Sequence, residues 1–268
     1  MQKFLIRTSH RPRPLPSGRW AINQCWNDLL LAHWPVQAAQ IAALLPEGLQ
    51  VDTFHGSAWL GVVPFWLDRM RFRGGVPVPT IRGFPDLNLR TYVREQHTNT
   101  QGIYCFSLDA SNLFAVAAAR LLYQLPYHWS EMYMERRGDS EFSFYSQRRL
   151  SGHPVVFKAR YRGLGPTRKS AEILPGSLEY FLTERYCLFT RNSDGQPVRR
   201  NIHHVTSPLE EAEAEIERND LPAAIGIELP LSEPVLHYSR RQAVYVWPAE
   251  PVRRVLAPRP VTVAITPS

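Results

Sequence analysis

Hydrophobic and polar positions alternate in short runs along this chain, and proline or glycine bounds most of the runs. The stretch LNLRTYVR at 87–94 is the clearest case, because its odd positions are apolar or threonine and its even positions are polar. A period of two is typical of a β-strand, whose successive side chains point to opposite faces. The pattern therefore predicts a strand with one strongly polar face.

The same reasoning predicts a chain made mostly of short strands. Besides 87–94 they are 49–52, 58–65, 103–108, 129–136, 141–148, 155–162, 186–190, 198–205 and 243–247. We expect the first two of these to form a hairpin around the turn at His55-Gly56. We expect the three strands between 129 and 162 to form a meander.

Four segments are predicted to be helical. They are 35–45, 109–124, 177–184 and 207–218. The second has an alanine-rich body and would be capped by Asp109 or Ser111. The last would be an acidic helix opened by a capping box at Ser207. Strands that outnumber helices, without regular alternation between them, indicate an α+β fold with a mostly antiparallel sheet.

No repeat and no linker divides the chain, so we predict one domain over residues 20–256. Residues 1–19 are basic and rich in proline and are predicted to form a flexible arm, and residues 257–268 a disordered tail. The apolar run at residues 4–6 is too short for a signal peptide. We therefore predict a cytoplasmic protein without a membrane partner.

Charge and motifs remove several classes of function. The net charge is +7, and 28 of the 31 basic residues are arginines, scattered beside turns and strand ends. This pattern favours a solvated basic surface over a nucleic-acid site. There is no GxGxxG after a strand, no phosphate-binding GxxxxGK[ST], no HExxH and no GxSxG, so no cofactor is expected. The adjacent His203 and His204 would point to opposite faces of a strand, so no metal site is expected either.

Several segments together carry a family resemblance. They are WNDLL and HWP within 26–35, LPEGL at 45–49, FPDLNLRTYV at 84–93, FSLD at 106–109, LPY at 125–127, FLTERY at 181–186 and HH at 203–204. In this order and spacing they resemble the YqjF-like family, a bacterial domain of unknown function numbered 2071. The resemblance covers roughly residues 15–250.

That family is grouped with the acetoacetate decarboxylase-like fold, so the resemblance implies a curved, cone-shaped, barrel-like antiparallel sheet around a central cavity, with a few flanking helices. The decarboxylase forms a Schiff base with a lysine whose pKa is lowered by its surroundings. Here the stretch 124–126, Gln-Leu-Pro, stands where the lysine pair of the decarboxylase would be. The supporting arginine and glutamate of that enzyme correspond to positions near Asn27 and Asn88, so this chain lacks both charges. Lys158 is expected to face solvent. The resemblance thus implies the fold and its cavity without Schiff-base chemistry.

The polar face of the 87–94 strand is the main candidate site. If it lines the cavity, Asn88, Arg90 and Tyr92 make a polar pocket in which the planar guanidinium of Arg90 holds a carboxylate. If it faces solvent, the same residues are an ordinary strand edge. Asn27, through the resemblance, and Tyr127, as an aromatic at the cavity rim, complete the predicted ligand-binding set.

Three functions stay open on this sequence. The protein binds a small carboxylated or keto compound, or it is a lyase- or hydrolase-type enzyme, or it is a noncatalytic module that contacts protein or nucleic acid. For the enzyme, Glu184, His203 and His204 are the candidate acid/base residues. The alternative for Glu184 is a buried ion pair with Arg185 that braces the helix, and the alternative for the histidines is a hydrogen-bonded position in the core. A homo-oligomer is compatible with each function.

Overall fold

The computed structural model describes residues 5–78, 83–168 and 172–252. The tail predicted at 257–268 lies outside these ranges. Within them, twelve strands pair into one mixed sheet. They are β1 (Ile22–Val36), β2 (Leu49–Val51), β3 (Ala58–Phe72), β4 (Gly83–Glu95), β5 (Gln101–Ala110), β6 (Tyr127–Arg136), β7 (Glu141–Arg148), β8 (Val156–Gly163), β9 (Cys187–Arg191), β10 (Pro197–His203), β11 (Glu210–Asn219) and β12 (Val235–Pro251). The described α-helices are α1 (Ala38–Ala42), α2 (Leu113–Tyr123) and α3 (Leu178–Thr183).

The hydrogen-bonded strand pairings form two closed paths. The order is β10-β9-β5-β6-β7-β8-β11-β12-β1-β3-β4-β2, and β10 also pairs with β12 and β4 with β5. One closed path, here called the cavity ring, runs through β1, β3, β4, β5, β9, β10 and β12. A second, the core ring, runs through β1, β3, β4, β5, β6, β7, β8, β11 and β12. The predicted α+β class with a mostly antiparallel, curved sheet is confirmed; the described parallel pairs are β5 with β6 and β5 with β9.

Strand alternation divides side chains between the two rings. On β4, Leu87 and Leu89 are fully buried and join the largest apolar cluster, together with Phe144 of β7 and Phe157 of β8. A fully buried side chain of this size contributes about 1.5–3 kcal/mol to folding. Asn88 and Arg90, at the alternate positions of β4, point the other way, into the cavity ring. One face of the shared strands therefore builds the packed core, and the other face is free to build a site.

A bulge at Asp28 decides which residues of β1 face the cavity ring. Asp28 has a positive φ of 53°, and hydroxyl groups hold it on both sides. Tyr161 donates to its carbonyl oxygen at 2.7 Å, and Tyr238 donates to its Oδ1 at 2.6 Å. An extra residue reverses the alternation of a strand. Consequently Trp26 before the bulge and Leu29 after it both line the cavity.

The acidic helix predicted at 207–218 is wrong, because the structure has strand β11 there. Apolar residues such as Ala214 and Ile216 pack against the core, while the intervening glutamates face the basic side chains of β8. Lys158 pairs with Glu217 at 2.5 Å on the outer surface. Opposite charges on neighbouring strands stabilise a sheet, and here they outweigh the local helix-capping signal.

Three further predictions about elements are corrected. Residues 49–52 and 58–65 do not form a hairpin, because β2 pairs with β4, and β3 pairs with β1 and β4. The first helix is shorter than 35–45, because Pro35 still belongs to β1. Helix α2 is capped by Asn112, which accepts from the Ala115 amide at 2.9 Å. The meander of β6, β7 and β8 is present as predicted.

The described part of the N-terminal arm contacts the sheet at several points. Arg11 donates to the Ile202 carbonyl oxygen at 3.0 Å, and Arg13 donates to that of Thr98 at 2.7 Å. The flexibility of the arm stays a prediction. Within the described ranges, no helix has the length and apolar character needed to cross a bilayer.

Candidate functional site

The cavity ring encloses two adjoining compartments. The narrow compartment has a volume of about 40 Å³ and the wide compartment about 180 Å³. Both are lined by Trp26, Ile103 and Ile202, which stand between them. Strand β4 supplies Arg90 to the narrow compartment and Asn88 to the wide one. Two of the predicted ligand-binding residues therefore lie on one continuous cavity wall.

Arg90 is the central residue of the narrow compartment. Its side chain is buried, with 6% of the residue exposed. Within the described residues it forms no ion pair, and its Nε has no hydrogen-bond partner. Gly61 lies opposite it on β3, where a Cβ atom would come within 3.3 Å of the Arg90 Cγ and 2.8 Å of the His33 ring. A glycine at this position thus leaves room for the guanidinium stem beside the sheet.

The second arginine of the narrow compartment has an acidic partner, which it shares with Arg94. Arg185 donates to the Asp52 carboxylate at 2.6 Å and to the Phe181 carbonyl oxygen at 2.6 Å. His33, packed nearby, does not add a charge, because burial and then the positive charge of Arg90 lower its pKa well below the usual value. Arg90 is therefore the arginine of this compartment that has no acidic partner among the described residues.

Three other polar atoms in the narrow compartment are buried without a hydrogen-bond partner among the described residues. They are Trp26 Nε1, Ser239 Oγ and Gln242 Oε1. Buried polar groups are normally paired, so such a group requires an explanation. Arg90, Trp26 and Ser239 all offer N–H or O–H donors, which is the chemistry that a carboxylate or a carbonyl oxygen requires.

The wide compartment is mainly apolar. Aromatic, aliphatic and alanine side chains from β1, β3, β4, β5, β9, β12 and α2 form most of its wall, including Phe65, Leu67, Phe84, Leu108, Ala115 and Val246. Its polar members include Tyr127, Asn88, whose Oδ1 has no partner among the described residues, and Arg200, which donates to Thr190 Oγ1 at 3.2 Å. Burial raises the pKa of the lining thiol of Cys105 to about 12, so this group stays neutral.

Tyr127 connects the wide compartment to a buried carboxyl group. Its hydroxyl donates to Asp86 Oδ2 at 2.8 Å, while Asp86 Oδ1 has no partner among the described residues. Asp86 is fully buried on the same face of β4 as Asn88 and Arg90. Burial raises its pKa from 3.8 to about 8 despite the hydrogen bond, and the nearby Asp109 adds to the rise. At neutral pH this group is therefore mostly a neutral carboxylic acid.

Two of the remaining ligand candidates do not line either compartment. Asn27 points to β3, where its amide donates to Asp68 Oδ1 at 3.0 Å and to the Trp66 carbonyl oxygen at 3.2 Å. Tyr92 is fully buried beneath Arg90, with its hydroxyl 2.7 Å from the Nε2 of His33. The lining residues of the two compartments do not include either side chain.

The predicted acid/base candidates are held by protein contacts. Glu184 accepts from the Tyr186 hydroxyl and, at 3.0 Å, from the Ser207 amide, so the expected pair with Arg185 is wrong. It borders a surface groove beside the N-terminal arm, not the cavity.

The two adjacent histidines separate as strand alternation requires. His203 lies 3.1 Å from a guanidinium nitrogen of Arg11, on the side of the arm. His204 lines the narrow compartment, but both of its ring nitrogens lie against backbone carbonyl oxygens, at 2.8 Å from Val205 and 3.1 Å from Arg185. Burial lowers the pKa of His204, while Glu184 and the two carbonyl oxygens oppose that shift.

The described residues include one lysine and no cluster of metal ligands. Lys158 lies on the outer surface as predicted, whereas Lys3 and Lys169 lie outside the described ranges. Across those ranges, no three His, Cys, Asp or Glu side chains converge as metal ligands would.

Sequence reasoning missed Trp26, Asp86, Ser239 and Gln242. Asp86 had a usable signal, since it continues the even-numbered polar face that contains Asn88. The β12 residues had none, because nothing in the local pattern indicates that β12 pairs with β1 and brings Ser239 opposite Leu29.

Comparison with known proteins assigns the chain to a family. The family model DUF2071, described as an uncharacterized conserved protein, matches residues 23–243. The chain belongs to the DUF2071 family. It is 42% identical over 234 residues to the uncharacterized protein YqjF of Bacillus subtilis (strain 168), an alignment that covers 87% of this chain and 93% of YqjF. The resemblance stated from the sequence is confirmed.

Solved structures show which fold this DUF2071 member has. The enduracididine biosynthesis enzyme MppR, complexed with pyruvate, matches with a TM-score of 0.62 at 10% identity, over 90% of this chain and 93% of MppR. An acetoacetate decarboxylase-like enzyme from Sphingomonas wittichii RW1 matches with a TM-score of 0.59 at 13% identity, over 89% and 95% of the two chains. At such identities the likeness shows the fold alone. The expected acetoacetate decarboxylase-like fold is confirmed.

Proposed function

We propose that this protein binds a small carboxylated or keto compound in the cavity, with Arg90 holding the carboxylate in the narrow compartment. The observation that supports this most directly is a buried guanidinium without an acidic partner among the described residues. Removing a charge from water costs several kcal/mol, and a bound anion offsets that cost. A bidentate carboxylate would satisfy the guanidinium, and the donors of Trp26 and Ser239 would take its remaining lone pairs.

The size of the narrow compartment fits this head group. One buried water requires roughly 10–15 Å³ of cavity volume, and the compartment has about 40 Å³. Space for about three non-hydrogen atoms matches a carboxylate. The fold neighbour MppR is complexed with pyruvate, a keto acid, which supports the same class of ligand here.

Titration calorimetry with pyruvate, propanoate and propanamide tests the proposal. The acids should bind, and the amide, which has the same shape without the charge, should bind at least tenfold more weakly. Arg90→Met should weaken acid binding at least about 100-fold, because it removes two charge-assisted hydrogen bonds of about 1.5–3 kcal/mol each. Arg162→Met, a change on the exposed outer sheet, is the matched control and should leave binding unchanged. Equal binding of amide and acid, or an unaffected Arg90 variant, would remove the proposed role.

The proposal includes binding without a Schiff base. Its support is the position of Lys158, whose ammonium group pairs with Glu217 on the outer surface. Borohydride treatment in the presence of pyruvate should therefore add no mass to the protein. A reduced adduct on any of the three lysines would overturn this part of the proposal.

Acid–base chemistry in the same cavity is a second candidate, and Asp86 is the residue that favours it. The cavity-lining Tyr127 hydroxyl, 2.8 Å from Asp86 Oδ2, can give its proton to a ligand carbonyl and take one from the neutral carboxyl group, while water takes the proton from the adjacent carbon. The wild type should then speed deuterium exchange at the carbon next to the carbonyl of 2-oxobutanoate in D2O, and Asp86→Asn should lose this effect. Exchange at the buffer rate in both proteins would eliminate the candidate.

A further inference from the structure

The division of the cavity into a charged end and an apolar body has a consequence for the ligand. We infer that the ligand is a monocarboxylic acid with an apolar body of about six to eight carbon atoms, longer than a keto acid such as pyruvate. This inference rests on the proposed function, since Arg90 fixes which end of the ligand enters the narrow compartment.

The wide compartment sets the chemistry of the body. Phe65 and Phe84 face Leu108 and Ala115 across it, and its one lining thiol, Cys105, stays neutral because burial raises its pKa to about 12. Its one charged lining side chain among the described residues is Arg200, which is already held by the protein, since its Nη1 donates to Thr190 Oγ1 at 3.2 Å. Filling such a space with hydrocarbon is favourable, at about fourfold in affinity for each buried methylene.

The volume sets the length. A dry apolar cavity of about 150 Å³ accommodates benzene, which has six carbon atoms. The wide compartment, at about 180 Å³, therefore accommodates a phenyl group or a chain of about six to eight carbons. A three-carbon acid held at Arg90 would leave most of this apolar wall uncovered.

The order of residues on β4 sets the orientation. Asn88 lies in the wide compartment and Arg90 in the narrow one, two residues apart on the same face. This spacing is about 6.5–7 Å along a strand, which is the length of about five carbon–carbon bonds in an extended chain. The carboxylate thus lies at Arg90 while the body extends past Asn88 toward α2.

A homologous series of straight-chain acids from propanoate to decanoate, with 3-phenylpropanoate, tests the inference by calorimetry. Affinity should rise about fourfold per methylene, level off at about eight carbons beyond the carboxylate and then fall. The matched fatty amides should follow a similar slope at much lower affinity. Affinity that is independent of chain length, or that falls with it, would overturn the inference.

A pair of substitutions on α2 locates the body. Ala115→Leu places a larger side chain in the wide compartment, whereas Ala117→Leu makes the same change at an exposed position of the same helix. Ala115→Leu should weaken octanoate at least tenfold with little effect on propanoate, and Ala117→Leu should change neither. Equal octanoate affinity in both variants would contradict the assignment.

These experiments distinguish the proposed binding of a carboxylate at Arg90 from the inference about the length of the apolar body. Acid binding that depends on Arg90 but not on chain length would leave the proposed function standing and overturn the inference. Absence of binding by every acid in the series would overturn both.

Discussion

The two rings of this sheet share five strands but treat buried arginine differently. Arg148, on a strand of the core ring, donates through Nε to Asp109 Oδ2 at 2.9 Å and through Nη2 to Oδ1 at 2.9 Å, and Ser107 and Ser130 complete the network. Arg90, on a strand of both rings and facing the cavity, is equally buried but has no acidic partner within the described residues.

The contrast extends to the outer surface. Strand β8 also carries basic residues at alternate positions, and each is matched by a glutamate of β11, as in Arg162 with Glu213 at 2.6 Å. Basic side chains at alternate strand positions therefore have three roles in this fold. They form a buried ion pair, a row of exposed ion pairs between β8 and β11, and a candidate ligand site. Burial without a partner is what distinguishes the last.

The largest effect should come from removing the paired arginine. Arg148→Met would leave Asp109 as a buried charge without its guanidinium, and such a loss costs about 3–5 kcal/mol. Urea denaturation followed by circular dichroism measures it. A loss below about 1 kcal/mol would show that this buried pair contributes no more to the free energy of unfolding than an exposed pair does.

The pH dependence of stability tests the acidic counterpart, Asp86. Its pKa rises from 3.8 to about 8 on folding, so the folded state binds more protons than the unfolded state between these values. The stability it contributes is present at low pH and is lost as pH rises through 8. Between pH 5 and pH 9 the wild type should lose about 4 kcal/mol relative to Asp86→Asn.

Denaturation curves of both proteins across this range give that difference directly. Asparagine still accepts the Tyr127 hydroxyl, so the comparison isolates the charge. Parallel stability profiles for the two proteins would mean that Asp86 is ionised normally in the fold.

Arg90→Met should not lower the free energy of unfolding, in contrast to Arg148→Met. Replacing a buried charge that has no acidic partner among the described residues with an apolar side chain of similar length should leave the free energy of unfolding unchanged or raise it by about 1–3 kcal/mol. The same denaturation assay, without added acids, measures it. A destabilisation as large as that of Arg148→Met would mean that Arg90 is a structural residue and would sharpen the search for its partner.

The smallest effect should come from the outer ladder. Both side chains of the Arg162–Glu213 pair are more than half exposed, so Arg162→Met should change stability by less than about 1 kcal/mol. Raising the salt concentration should reduce even that difference, because exposed charges are screened. A larger effect that resists salt would mean that the ladder behaves like the buried pair.

The β-rich class and most strands followed from local patterns. The period of two over 84–93 identified the polar face of β4, and the resemblance in the same stretch pointed to the family. The failures have a common cause. The acidic segment after Ser207 has helix-start chemistry, and only the basic face of β8 across the sheet makes it a strand.

The candidate site shows the same limit. Asn88 and Arg90 were found because strand alternation is a local property. Ser239 and Gln242 were not, because they reach Arg90 only through the pairing of β12 with β1, a contact about two hundred residues apart in sequence.

The sequence alone therefore determined which side chains alternate on each strand, and with them the polar face of β4 and the lack of lysine in the first half beyond Lys3. The tertiary fold encloses this face and gives Arg148 a carboxylate partner, whereas Arg90 has none within the described residues. The physical reason is that periodicity is set by backbone geometry within a strand, whereas pairing and burial depend on which distant strands close the ring.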